Sequence, residues 1–143
     1  MRSRDAINAP EALVLTMVLV SAADGGMTDR EIGVMAGLVQ TLPAFQNFTS
    51  GELSDVSERA ASLLHEEDGL AHAGRLVRAA LSSKLRETAY ALACEVVAGG
   101  DGAKRQSLDM LEFVRGELGL DALISAAIER GVRARYQRVD PAD

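Results

Sequence analysis

The sequence predicts an all-α, single-domain bundle of about seven helices, and three observations carry that expectation. Apolar residues recur at helical spacing along the whole chain, and no strand-like alternation competes with them. The apolar fraction is 48% but only 3% is aromatic and Trp is absent, so Ala, Leu and Val build the core. That composition favours closely packed helices over a sandwich or barrel. Finally, a long apolar stretch followed by an Asp-Gly turn and an amphipathic stretch occurs twice. A chain of 143 residues suits one domain, and one of that size buries roughly 68–70% of its unfolded surface. The domain is expected over residues 9–137, with tails at 1–8 and 138–143. No proline falls between Pro43 and Pro141, which leaves the middle free for helices.

The first helix is expected from Ala9 to Ala23, with Asn8 and Glu11 forming a capping box at its start. It is apolar on every side, through Leu13, Val14, Leu15, Met17, Val18, Leu19 and Val20, the mark of a central buried helix. Asp24-Gly25-Gly26 stops it. Thr28-Asp29-Arg30-Glu31 reads as a second capping box opening a helix whose stripe is Ile32, Met35, Val39 and Leu42, ended by Pro43. Gln46 to Ser50 is a polar connection with Phe45 and Phe48 as plugs.

The third helix is expected over Glu52 to Glu66, with Leu53, Val56, Ala60, Leu63 and Leu64 inward. Asp68-Gly69 breaks it, and Leu70 to Leu81 makes a fourth through Ala73, Leu76, Val77 and Ala80. Ser82-Ser83 caps a fifth, Lys84 to Ala98, apolar except for Glu95. After Gly99 to Gly102 a sixth carries Leu108, Leu111, Val114 and Leu118, with Gly119 as its stop. Asp121 can cap a seventh, with Leu123, Ile124, Ala127, Ile128 and Val132 inward.

Register supports the repeat. A shift of 77 lays Asp24-Gly25 on Asp101-Gly102, and a shift of 76 lays Ile32, Met35, Leu38 and Leu42 on Leu108, Leu111, Val114 and Leu118. The helices correspond, and the second connection is one residue shorter. Two helix–turn–helix units should therefore pack their apolar helices, the first and the fifth, at the centre.

The net charge of −6 argues against nucleic acid as the main partner. Acids crowd Asp29 to Asp68, while Arg130, Arg133, Arg135 and Arg138 make the end basic, a polarity that could orient an assembly or a protein partner. With Cys94 alone there is neither an internal disulfide nor a Cys-built zinc cage, and its apolar setting makes it a small core residue. Arg2, Arg4 and the apolar run Ala12 to Val20 have the outline of an export signal. Asp5, Glu11 and the capping box oppose it, so the N-terminus is expected to be kept. The run is also too short for a membrane span, which needs roughly 20 residues.

Chemistry concentrates at the turns. Asp24 stands beside the unpaired carbonyls ending the first helix, with Asp29 and Glu31 in the first turn of the second. Oxygen donors without Cys or His suit a hard divalent cation, Ca, Mg or Mn, although capping alone also explains acids there. The spacing excludes an EF-hand, whose loop needs about 12 residues. Asp101 marks the weaker second site. Glu95, in an apolar helix, needs a partner if buried, for which Arg115 or Arg86 could serve, or it could be a metal ligand. Glu66-Glu67-Asp68 ends a helix against its dipole, and His65 and His72 are too loosely placed for a metal pair. No Gly-rich phosphate loop, nucleophile elbow or HExxH is present, so no catalytic residue is assigned.

Ala23-Asp24-Gly25-Gly26-Met27-Thr28-Asp29-Arg30-Glu31, Glu66-Glu67-Asp68-Gly69-Leu70, Leu85 to Ala93 and Glu117-Leu118-Gly119-Leu120-Asp121 occur in an order and spacing that resemble the TerB-like tellurite-resistance family across nearly the whole chain. The resemblance implies an all-helical, cytoplasmic bacterial protein linked to tellurite resistance and general stress, with no catalytic activity. It also implies divalent-metal binding by acidic turn residues in some members. The second turn departs from the pattern, since Gly100 falls where Asp is expected and Gln106 and Ser107 replace acids. Two other functions compete: a metal-free interaction module using the acidic face of residues 52–68, and a carboxylate enzyme relying on Asp24, Glu31 and Glu95.

Overall fold

The computed structural model describes residues 6–22, 26–100 and 104–143. Among them lie seven α-helices, one short 3-10 turn at Pro43–Phe45 and no strand. The helices are α1 (Ala9–Ser21), α2 (Asp29–Thr41), α3 (Ser50–Leu64), α4 (Gly69–Ala80), α5 (Ser83–Gly99), α6 (Arg105–Leu118) and α7 (Ala122–Arg135). None of these is long and apolar enough to cross a membrane.

Short polar side chains set where the helices begin. Glu11 N–H donates to Asn8 Oδ1 at 2.9 Å while Asn8 N–H donates to Glu11 Oε1 at 2.8 Å, the expected capping box. Thr28 and Glu31 do the same for α2, at 3.2 and 2.9 Å. Thr49 accepts from Glu52 N–H at 3.1 Å, so α3 starts at Ser50, earlier than the apolar pattern indicates. α1 ends at Ser21, short of Ala23, which with Asp24 and Gly25 lies outside the described residues. The break after α3 depends on Asp68, left-handed at φ 57°, followed by Gly69. Any Cβ on Gly69 would stand 2.1 Å from the Leu63 carbonyl oxygen, so only glycine fits.

The core is centred on α1. Every residue from Ala12 to Ser21 is buried, and the one hydroxyl in mid-helix, Thr16, donates to the Ala12 carbonyl at 2.8 Å. Burying a side chain such as Leu13 or Val14 stabilises by about 1.5–3 kcal/mol relative to exposure. The most extensive helix pairing is α1 with α5, the expected centre. Around it, α3 and α4 lie on α1, and α6 touches α1, α4 and α5. α2 follows α1 in sequence but packs mainly on α5, so the two units interlock rather than sit side by side. α7 packs chiefly on α5.

Three expected stripes are corrected. Ile32 of α2 is 45% exposed and its repeat counterpart Leu108 of α6 is 52% exposed, whereas Glu31 and Ser107, one position earlier on each helix, are buried in their place. Leu123 is 82% exposed and Ile124 and Ala127 also face outward, whereas Ser125 and Val132 are buried. A helix resting on a single neighbour covers only a narrow strip, and polar contacts with α5 decide which strip of α7 that is.

Candidate functional site

The expected cation ligands separate into three situations. Asp24 and Asp101 lie outside the described residues. Asp29 is exposed at the first position of α2. Glu31 is buried: its Oε1 accepts from Thr28 N–H, and its stem lies against the end of α5, where a Cβ on Gly100 would meet Glu31 Cγ at 2.7 Å. Gly100 thus admits the Glu31 side chain and seats the start of α2 on α5.

Glu95 is buried on α5, and its partners come from the end of α7 rather than from Arg115 or Arg86. Arg135 Nε approaches Glu95 Oε1 at 2.7 Å and the Tyr136 hydroxyl donates to Oε2 at 2.5 Å. Both carboxylate oxygens are held, as a buried charge requires. Arg86 lies nearer the start of α5 and instead donates to the carbonyls of Leu81 at 3.1 Å and Arg78 at 2.9 Å, closing the C-terminal end of α4. Arg115 faces Glu129. The Tyr136 ring also rests on Gly99, where a Cβ would meet its hydroxyl at 3.1 Å. Among the described residues, no group of three or more His, Cys, Asp or Glu side chains converges. His72 makes a 3.4 Å contact with Glu66 beside the exposed Glu67 and Asp68.

What sequence reasoning missed is a cleft of about 520 Å³ between α5, α6 and α7. Its walls follow helical spacing. From α5 come Tyr90, Cys94, Val97 and Ala98; from α6, Leu108, Leu111, Glu112 and Arg115; from α7 and the residue beyond Tyr136, Glu129, Val132, Arg133, Tyr136 and Gln137. The one signal was the spacing Tyr90-Cys94-Ala98, which puts a hydroxyl and a thiol on the same flank of a helix otherwise apolar. Both tyrosines and the sole cysteine of the chain line this cleft.

Three polar groups of the cleft, Tyr90, Glu129 and Arg115, are tied to one another. Tyr90 O–H donates to Glu129 Oε2 at 2.5 Å, and Arg115 Nη1 approaches the same oxygen at 3.8 Å. Burial raises the Tyr90 phenol, and the bond to Glu129 raises it further. Burial likewise pushes the Cys94 thiol up to about 11 and, before the bond to Glu95, raises Tyr136. At neutral pH Cys94 is therefore a thiol and both phenols are donors, which suits the cleft to binding through shape and hydrogen bonds. Comparison with family models, with curated proteins and with solved structures found no match to this chain.

Proposed function

We propose that this chain is a non-enzymatic helical protein of TerB-like kind, which works by binding in the tellurite or general stress response of a bacterial cytoplasm. The observation that supports it is the pairing of α1 with α5 as a buried centre, each followed along the chain by a flanking helix, α2 or α6. Of the motifs quoted above, Glu66 to Leu70 and Glu117 to Asp121 sit at helix junctions and Leu85 to Ala93 lies within α5. The state of the strongest chemical groups points the same way, since Cys94 is held as a thiol and Glu95 is fully engaged by Arg135 and Tyr136.

The ligand at the first turn is a divalent cation, Ca, Mg or Mn, taken up by Asp24 and Asp29 with Glu31 ordering the helix start. Thermal unfolding with EDTA and with each cation tests this, because a ligand bound only by the folded state raises its melting temperature. Asp24→Asn should abolish the rise, and Asp101→Asn should leave it in place. A wild-type melting curve unmoved by EDTA and by all three cations overturns the cation.

A second reading is favoured by the exposure of Glu52, Asp55, Glu58, Glu66, Glu67 and Asp68 along α3 and the turn after it. That face suits a basic protein partner with no ion involved. Titration with a lysine-rich peptide, giving binding that weakens as salt rises, would support it over the cation.

A further inference from the structure

We propose that the α5–α6–α7 cleft binds a small amphiphile, an apolar chain carrying one anionic head such as a carboxylate. Its volume, about 520 Å³, lies within the range of roughly 300–1,000 Å³ usual for small-molecule sites. A chain of ten carbons, each taking about the roughly 30 Å³ of a water, needs on the order of 300 Å³. Val97, Ala98, Leu108, Leu111 and Val132 supply apolar wall for such a chain. Leu108 is otherwise an apolar side chain 52% exposed, and the occupant would cover it.

The hydrogen-bonding capacity left open in the cleft decides the head. Glu129 Oε2 already accepts from Tyr90 and faces Arg115. Among the described residues the Arg115 guanidinium makes a single long contact, 3.8 Å, and the Arg133 guanidinium makes no hydrogen bond or ion pair. A guanidinium carries five N–H donors, in a fork that matches a carboxylate. Glu112 on α6 and Glu129 on α7 are the opposing charges; Glu129 is already bonded by Tyr90 and faced by Arg115, which leaves Arg133 on α7 as the open guanidinium for the head. The open guanidinium donors are met most strongly by an anionic oxygen head, less strongly by an alcohol oxygen and not at all by an ammonium.

The probes are already in place. The cleft holds the only cysteine and both tyrosines of a chain without tryptophan, so thiol modification and near-ultraviolet circular dichroism of the wild-type protein both report on it. Decanoate, decanol and decyltrimethylammonium would be compared below their micelle concentrations. Decanoate should slow maleimide modification of Cys94 at least tenfold, change the tyrosine signal and raise the melting temperature. Its affinity should exceed that of decyltrimethylammonium by tenfold or more. Arg133→Gln, at an exposed position, should weaken decanoate about tenfold and decanol less, with the far-ultraviolet spectrum checking the fold. Absence of Cys94 protection by decanoate overturns the site, and equal affinity for the two charged amphiphiles overturns the anionic head. Decanoate binding that neither Arg133→Gln nor Arg115→Gln weakens overturns the assignment of the head to these guanidiniums.

Discussion

Gly69 is the residue whose replacement the backbone tolerates least. With its Cβ position 2.1 Å from the Leu63 carbonyl oxygen, the corner between α3 and α4 has to open to admit a methyl group. Gly69→Ala should cost about 2–4 kcal/mol in urea unfolding, far beyond an ordinary surface change. Cys94 makes a second prediction, on pH. Its folded value, about 11, lies above the ordinary 9.0, so the protonated thiol favours the fold. The stability this contributes is complete below about pH 9 and is lost as pH rises through the folded value. Under reducing conditions the wild-type melting temperature should fall more steeply between pH 9 and 11 than that of Cys94→Ala; parallel curves would contradict the assignment. Glu95 shows how far single residues could be read from the sequence. Its need for a partner was plain from its apolar surroundings, but Arg135 and Tyr136 were not, because they lie on a helix whose rotation the pattern left open.

Among the helices, α1 was legible and α7 only half so. Uninterrupted apolar character and the Asn8–Glu11 box located α1 and its burial from the sequence. In α7, Leu123, Ile124, Ala127, Ile128 and Val132 span a wider apolar arc than α5 alone can cover. The bonds from Tyr90 to Glu129 and from Tyr136 to Glu95 turn Leu123 and Ile124 to solvent. The contrast sets a paired experiment. Val18→Asp in α1 or Leu92→Asp in α5, both buried, should each cost more than about 2 kcal/mol by placing an unpaired charge in the core. Leu123→Ser should stay within about 0.5 kcal/mol. A large loss at Leu123 would mean that something covers it in solution.

The cleft could not be read in advance because it belongs to the assembled molecule. Its walls come from three helices, and each stretch supplies only part of the lining. The same assembled arrangement governs the order in which the chain can be made. α1 leaves the ribosome before the helices that enclose it, yet its largest partner, α5, begins about sixty residues later. At about 5–20 residues per second the α5-facing flank of α1 waits roughly 3–12 s for cover. α3 and α4 arrive sooner and shield only the other side. Refolding from denaturant should show the same exposure, with recovery of monomer falling as protein concentration rises and Leu19→Gln relieving the loss while weakening the fold. A helix with no polar face is thus safe only once synthesis has passed α5, and until then it offers a nascent chain's most adhesive surface to whatever binds such chains.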